Sequence, residues 1–326
     1  MFDRRTLTLA SLLLATLPQA VPAQQSKAQA WPEHDIHFVS AFPPGSGSDT
    51  VMRFLAEKMR PLVSVPIIVD NKPGAGGMLA AEYVARAKPD GYTIFTHAGN
   101  TMATVKHLLK NPPFDPATAV QVAATINQQA FMLVVDAKKP WQNLADLTTA
   151  MKEKGGAATY GASANIGLIM GALYRELAGL KAVDVQYKSA TDSLNDLASG
   201  QIDFALYDPI VAMSQAQMGR IRILGVGLKE RLQAAPDLPT MAEQGVAIDL
   251  PSWFAAIVPA ATPKPVVNEI NRLFNAVIAM DETKAFLKKF GTDPWISTPQ
   301  EGQARLMKDL EVWPEYIRVA KLPLQG

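Results

Sequence analysis

A predicted strand, a turn and a helix start follow one another in IHFVSAFPPGSGSD, residues 36–49. The mainly apolar run 36–42 predicts a buried strand, and the Pro, Gly and Ser residues after it predict a turn. The next apolar residues repeat at helical spacing: Val51, Leu55, Met59 and Leu62. Ser48 or Asp49 is the expected N-cap of this helix. This order places backbone N–H groups and a helix N-terminus at the carboxyl edge of a sheet.

The same alternation continues along the chain. Further strands are predicted at 67–69, 92–95, 131–135, 158–161, 183–187, 202–207 and 221–226. Helices separate most of them, and two late helices have clear starts. One start is Thr262 followed by Pro263, and the other is the capping box that runs from Thr298 to Glu301. The alternation predicts an α/β fold with parallel or mixed sheets.

The composition excludes several classes of protein. Of 326 residues, 48% are apolar and 19% are charged, so the chain can bury a sizeable core in two lobes or domains. The formal net charge is +1 without a basic stripe, which argues against nucleic-acid binding. Because there is no cysteine, disulfides, thiolate metal sites and a cysteine nucleophile are excluded.

The first residues are typical of an export signal. Two arginines precede the apolar run 7–21, which is too short and too broken by proline to span a bilayer well. Small residues up to Ala23 suit signal peptidase. We therefore expect a cleaved signal peptide at 1–23, a polar leader at 24–30 and a periplasmic mature protein. The arginine pair leaves the export route, Sec or twin-arginine, open.

Two glycine-rich turns indicate where a ligand binds. They are residues 42–49 and DNKPGAGG, residues 70–77. Each lies between a predicted strand and a predicted helix, so backbone N–H groups can bind an anion there without a full basic charge. The only cation in either turn is Lys72, which favours a small carboxylate over a polyphosphate. Alternatively, each turn taken singly is only a tight connection.

Motifs for covalent or cofactor chemistry are incomplete. Neither turn has the G-x-G-x-x-G or G-K-[ST] pattern. Residues 161–165, GASAN, lack the closing glycine of a G-x-S-x-G elbow, and no histidine follows Ser163. The four histidines are expected to be solvated or capping residues. Three acidic residues fit turns, caps and solvated faces better than an acid/base pair: Asp192, Asp196 and Asp203. We expect no catalytic residue, metal or cofactor.

Several short motifs resemble one family in their order along the chain. Besides the two glycine turns they are KPDGYT at 88–93, VQYK at 185–188, SGQID at 199–203, LPTMAEQG at 238–245 and VPAATP at 258–263. Each motif is weak alone, but together they cover nearly the whole mature chain. The protein resembles the Bug family, the extracytoplasmic solute receptors of tripartite tricarboxylate transporter systems.

The resemblance implies a two-lobe periplasmic binding protein of type II-like α/β fold. Each lobe would be a mixed sheet flanked by helices, with a ligand cleft between the lobes that closes by a hinge movement. Lobe 1 would comprise residues 31–125 and 250–326, and lobe 2 residues 126–249. The resemblance also implies delivery of a small carboxylate to a membrane permease. We expect the protein to be a monomer.

The same resemblance implies the ligand-binding residues. In lobe 1 they are Phe42, Pro44, Gly45, Ser46, Gly47, Asp49, Gly74, Ala75, Gly76 and Gly77. In lobe 2 they are Ala162, Ser163, Ala164, Asn165, Tyr187 and Asp208. Asp49 would face a ligand amino group or, equally, serve as a helix N-cap.

One loop departs from the family pattern. Residues 164–170, ANIGLIM, lack the serine and histidine that the family usually has there. Unless Ser163 or Asn165 substitutes, the distal half of the ligand meets fewer polar groups, which favours an aromatic or weakly polar monocarboxylate over a dicarboxylate. Alternatively, Leu168 and Met170 merely pack the following helix.

Two other functions stay open at this point. A periplasmic sensor would present the liganded state to a signalling partner instead of a permease. An exported α/β hydrolase would use Ser163 as nucleophile, although the sequence offers this serine no plausible base.

Overall fold

The computed structural model describes residues 31–74, 77–321 and 324. The predicted signal peptide and leader, residues 1–30, lie outside the described residues. Ala75 and Gly76, two predicted ligand-binding residues of the second glycine turn, also lie outside them.

Strands and helices alternate through most of the described chain. The strands are β1 (Ile36–Ser40), β2 (Ile67–Asn71), β3 (Thr93–Ala98), β4 (Val120–Gln129), β5 (Met132–Asp136), β6 (Thr159–Ala162), β7 (Val183–Gln186), β8 (Phe204–Tyr207), β9 (Ile221–Val226), β10 (Ser252–Pro259) and β11 (Asp293–Pro294). The α-helices are α1 (Gly47–Met59), α2 (Met78–Ala85), α3 (Thr101–Leu108), α4 (Pro116–Ala119), α5 (Leu144–Lys154), α6 (Asn165–Leu177), α7 (Ala190–Ser199), α8 (Pro209–Gln217), α9 (Lys264–Ala279), α10 (Asp281–Lys289) and α11 (Pro299–Ala320).

The strands form two mixed sheets. The first has six strands in the order β11-β4-β10-β3-β1-β2, with β1 parallel to β2 and β3, and β10 antiparallel to β3 and β4. The second has five in the order β7-β6-β8-β5-β9, with β6 parallel to β7 and β8, and β5 antiparallel to β8 and β9. The predicted α/β fold with two mixed sheets is confirmed.

The first sheet is buried on both faces. Successive side chains of a strand point to opposite faces, so Phe95 belongs to one apolar cluster and Ile94 to another. The cluster that contains Phe95 continues to Tyr160 and Phe204 on the second sheet. Apolar packing therefore joins the helices and strands around both sheets.

The two longest strands of the first sheet were not predicted. β10 lies between β3 and β4, and all of its residues are buried. Both β4 and β10 have alanine pairs at their centres, Ala123 with Ala124 and Ala255 with Ala256. Alanine is a poor strand former, so the centres of both strands depend on pairing with neighbouring strands, although the β-branched and aromatic residues beside them favour a strand.

Strand membership follows the chain in three blocks. Strands of the first sheet come from residues up to Gln129 and from Ser252 onward, while those of the second sheet lie between Met132 and Val226. The exact lobe bounds given above, 125/126 and 249/250, stay a prediction.

Two of the predicted helix starts are wrong. α1 is capped by Ser46, whose Oγ accepts a hydrogen bond from Asp49 N at 3.2 Å, because the turn ends earlier than the apolar spacing indicates. α9 has Pro263 as N-cap without a side-chain bond, and Thr262 is buried instead. The capping box of α11 is confirmed, since Thr298 Oγ1 accepts from Glu301 N at 3.2 Å and Glu301 Oε2 accepts from Thr298 N at 2.8 Å.

Across the part of the chain that the structure describes, no helix has both the length and the apolar character that a membrane span requires.

Candidate functional site

A cavity of about 630 Å³ lies where carboxyl ends of strands from the two sheets face each other. On the first sheet its wall begins after β1 with Ala41, Phe42 and Pro43. On the second sheet its wall includes the segment between β6 and α6 and the residue after β8, Asp208. In α/β proteins, ligands bind at such carboxyl edges.

The second glycine turn forms part of the first wall. Pro73, Gly74 and Gly77 line the cavity, and Gly77 N donates to Gly74 O at 3.0 Å. Gly77 has a φ of 99°, and a Cβ there would lie 2.9 Å from Thr101 Cγ2. Glycine is therefore required by both the left-handed backbone and the close approach of α3.

Asn71 joins the two glycine turns. Its Nδ2 donates to Phe42 O and to Asp49 Oδ1, both at 2.9 Å. Asp49 Oδ2 accepts from Gly45 N at 2.8 Å and from Arg53 Nε at 2.9 Å. Burial alone would raise the pKa of Asp49, but these donors hold it below its usual value. Asp49 therefore stays charged, stabilises the first turn from behind and does not line the cavity.

The wall on the second sheet contains most of the residues predicted there. Ser163, Ala164, Asn165, Tyr187 and Asp208 all line the cavity. Ala162 lies beneath them, fully buried. Helix α6 begins at this wall, and its N-cap, Ala164, has no side chain that can accept from the first-turn N–H groups. Those N–H groups therefore lack a side-chain acceptor at the edge of the cleft.

Two of these side chains are fixed by their own contacts. The Tyr187 hydroxyl donates to Asp196 Oδ2 at 2.7 Å, and burial together with that carboxylate raises the pKa of Tyr187 to about 12. Asp208 Oδ1 caps α8 by accepting from Ile210 N at 3.1 Å and from Val211 N at 3.2 Å. Burial raises the pKa of Asp208.

The first glycine turn separates this cavity from a second one of about 590 Å³. Four residues predicted to bind the ligand line the second cavity and not the first: Pro44, Gly45, Ser46 and Gly47. Phe42, Ser163 and Asp208 line both cavities. A Cβ on Gly47 would lie 2.9 Å from Asp208 Oδ1 and from Ile210 Cβ, so the turn touches α8 closely.

His97, in β3, is a wall residue that the sequence analysis missed. It is 2% exposed, so the expectation of a solvated or capping histidine is wrong here. Its ring centroid lies 4.6 Å from that of Phe42, 4.9 Å from Phe95 and 6.2 Å from Phe254. Burial lowers the pKa of His97 to about 3, so the imidazole is neutral near pH 7. The available signal was its place at the carboxyl end of a predicted parallel strand.

The other three histidines have contacts outside the cleft. His37 Nδ1 lies 2.7 Å from Asp70 Oδ2, His34 stacks on Tyr92, and His107 Nε2 lies 3.2 Å from Leu310 O. Among the described residues, no group of three or more His, Cys, Asp or Glu side chains could hold a metal ion.

Other wall residues were not among the predicted binding residues, although several of them adjoin those residues in the sequence. They are Ala41, Pro43, Ser48, Pro73, Ala98, Thr101, Thr104, Gln129, Phe131, Ile166, Gln186, Lys188 and Phe254. Gln129 ends a strand that was not predicted, and its Oε1 is buried without a hydrogen-bond partner among the described residues. Leu168 and Met170 are buried in the core and do not line the cavity.

Known proteins resemble this chain over most of its length. The family model described as the tripartite tricarboxylate transporter family receptor matches residues 51–319. A UPF0065 protein of Bordetella bronchiseptica is 34% identical over 278 residues, which cover 84% of this chain and 81% of that protein.

Solved structures share the fold as well. The periplasmic binding protein BugD is 28% identical with a TM-score of 0.82, and the match covers 90% of this chain and 100% of that one. An R. palustris protein solved with adipate is 26% identical with a TM-score of 0.84, and the match covers 90% of this chain and 99% of that one.

Proposed function

This chain belongs to the tripartite tricarboxylate transporter family of receptors, and we propose that it captures a small organic carboxylate in the periplasm. The observation that carries the proposal is the cavity between the carboxyl edges of the two sheets, beside the second glycine turn and the start of α6. The R. palustris relative solved with adipate supports a carboxylate as ligand.

Binding would rely on donors without a full charge. Backbone N–H groups at the starts of α2 and α6 flank the cavity from opposite sheets, and Ser163 and Asn165 add side-chain groups. Helix N-termini favour anions through the aligned dipoles of their peptide units. The one cationic side chain that lines the cavity is the exposed Lys188, among the residues that the structure describes. Such a set suits one or two carboxylates better than a polyphosphate.

The ligand we propose is an aromatic or weakly polar monocarboxylate. Phe42, Phe131 and Phe254 line the cavity, and Ile166 adds apolar surface beside Asn165. Aromatic walls favour stacking with a ring or contact with a short aliphatic chain. A dicarboxylate that binds far more tightly than any monocarboxylate would contradict this part of the proposal alone.

Delivery of the ligand to a membrane permease, as a monomer, is part of the same proposal. The family relationship supports delivery to a permease, and a periplasmic sensor is the alternative. A hydrolase is disfavoured, because Ser163 has no hydrogen bond to a histidine, lysine or carboxylate among the described residues.

A thermal-shift screen against mono-, di- and tricarboxylates, aliphatic and aromatic, tests the proposal. A ligand that binds only the folded state stabilises it by about 2.7 kcal/mol at a hundredfold excess over Kd. We expect at least one carboxylate to raise Tm clearly. No shift across the panel would contradict a carboxylate receptor, provided that mass spectrometry finds no ligand retained from the cell.

Two glycine substitutions test whether the ligand-induced rise in Tm comes from binding in the cleft. Gly77→Ala forces both a left-handed alanine and a contact of 2.9 Å with Thr101, so we expect it to lose the ligand-induced shift. Gly219→Ala is the matched control, because Gly219 also has a positive φ, 69°, but has open space around it. The control should lower Tm slightly and keep the shift.

A further inference from the structure

His97 has hydrogen-bonding capacity that the protein itself does not use. The side chain lines the cleft, yet it is 2% exposed, and Nδ1 is buried without a hydrogen-bond partner among the described residues. Three phenylalanine rings surround the imidazole: Phe42, Phe95 and Phe254. A polar ring in such apolar surroundings needs a partner that arrives from the cleft.

The surroundings of the two ring nitrogens decide which of them holds the proton. A neutral imidazole has one N–H donor and one acceptor. If Nδ1 carried the proton, its N–H would be buried with no acceptor among the described residues. A buried donor without a partner costs more free energy than a buried acceptor without one. On Nε2, the N–H lies near Gly77, since this nitrogen is 3.9 Å from the position that a Cβ on Gly77 would take. The Nε2–H tautomer is therefore favoured.

Gly77 also marks the place where a ligand anion is expected. It is the N-cap of α2 and it lines the cavity, so a group bound in the cleft beside it lies next to Nε2. A group seated there would meet both the start of the helix and the imidazole N–H. Because both are donors, that group must be an acceptor without protons of its own.

We propose that His97, as the neutral Nε2–H tautomer, donates a hydrogen bond to the ligand carboxylate seated beside Gly77. This inference rests on the proposed function and names the side chain that selects an ionised carboxylate at this end of the cleft. An ammonium or a primary amide nitrogen would set donor against donor, so amines of the same shape are rejected. The phenylalanine rings keep the imidazole in place and keep water from competing for its N–H.

Nitrogen-15 NMR of the histidine rings tests the tautomer directly. In the ligand-free protein, we expect His97 to show a protonated Nε2 and an unprotonated Nδ1 at pH 7. A protonated Nδ1, or an imidazolium at this pH, would overturn the proposal. His97→Phe identifies the resonance because it removes one set of ring signals.

Binding is then measured with benzoate and adipate as probes and benzylamine as the competitor of similar shape. His97→Phe keeps an aromatic ring among the phenylalanines but removes the donor, and we expect the affinity for the carboxylate that binds to fall about 10- to 100-fold. His97→Gln keeps a donor and should recover part of that loss. Benzylamine should not bind the wild type.

The control is His107→Phe, which removes the contact with Leu310 O; because His107 does not line the cavity, the affinity should stay unchanged. If a carboxylate binds the wild type and His97→Phe equally well, this inference is wrong and the proposed function stands. If no carboxylate binds the wild type, the proposed function fails, and the role of His97 fails with it.

Discussion

At the scale of single residues, the charge states of two side chains near the cleft are set by the groups around them. Asp49 stays charged because Gly45 N, Arg53 and Asn71 surround its carboxylate with donors. His97 stays neutral because apolar rings surround it. The first residue stabilises a turn, whereas the second leaves a donor free for a ligand. The neighbours of each side chain therefore decide the charge state that it keeps.

His97 makes stability depend on pH. Its folded pKa is about 3, against roughly 6.5 in an unfolded chain, so between these values the unfolded state binds a proton that the folded state does not. The free energy of unfolding therefore rises with pH through this window and levels off above it. Between pH 5 and pH 7 we expect a difference of about 2 kcal/mol from this residue.

Urea denaturation of the wild type and His97→Phe at both pH values measures that difference. The free energy of unfolding of the variant should lose most of the dependence on pH that the wild type shows. His107→Gln serves as control, because burial also lowers the pKa of His107, but less completely, and most of the slope should remain. Equal slopes in the wild type and His97→Phe would contradict a buried neutral histidine.

At the scale of the elements, helix starts position the glycine turns. Ser46 caps α1 at the end of the first turn, and Asp49 reaches back from the first turn of that helix to Gly45 N. Thr298 caps α11 in the same way, with a bond of the same length, 3.2 Å, but outside the cavity lining. The two caps thus provide a matched pair for separating stability from binding.

Removing either cap should reduce stability, but only one removal should reduce affinity. Ser46→Ala and Thr298→Ala each lose a bond to a first-turn N–H and should lower the free energy of unfolding by about 1 kcal/mol. Ser46→Ala should also weaken binding of the carboxylate found in the screen, because it loosens the turn beside the cleft. Equal affinity in the two variants would show that the first glycine turn does not position the ligand.

At the scale of the whole molecule, a contact between the segment after β1 and the segment after β8 shapes the cleft. Gly47, which follows the first-sheet strand β1, has no room for a Cβ because Asp208 Oδ1 and Ile210 Cβ, after β8, lie 2.9 Å from that position. The same aspartate caps α8 and lines both cavities. A small change at this contact therefore separates the walls without altering either sheet.

Gly47→Ala tests this contact. Alanine suits the first turn of a helix better than glycine by up to about 1 kcal/mol, which offsets only part of the cost of the close contact, so the free energy of unfolding should fall slightly. The added Cβ must push the turn and α8 apart, and overpacking of this size costs about 1–3 kcal/mol, so ligand affinity should drop roughly tenfold. Gly156→Ala, with open space around it, is the control for calorimetric titration. Unchanged affinity in Gly47→Ala would mean that the contact is not needed for binding.

Much of the fold follows from local patterns in the sequence. All the predicted strands form, because apolar runs between Gly, Pro and Asp turns act over a few neighbouring residues. The largest shift is in β3, which continues to Ala98 beyond the predicted end at 95. Several motifs along the chain also predicted the family, which the matches to related proteins confirm.

Other features depend on contacts between distant parts of the chain, and only the tertiary structure decides them. The alanine pairs at the centres of β4 and β10 adopt strand conformation because the two strands pair with each other across more than a hundred residues of sequence. His97 and Gln129 become wall residues because strand pairing places the carboxyl ends of β3 and β4 at one cavity. Local sequence determines turns, caps and most strands, since these need only near neighbours. Burial, protonation and the close approach at Gly47 depend on what folding places around each residue, and no short stretch of sequence contains that information.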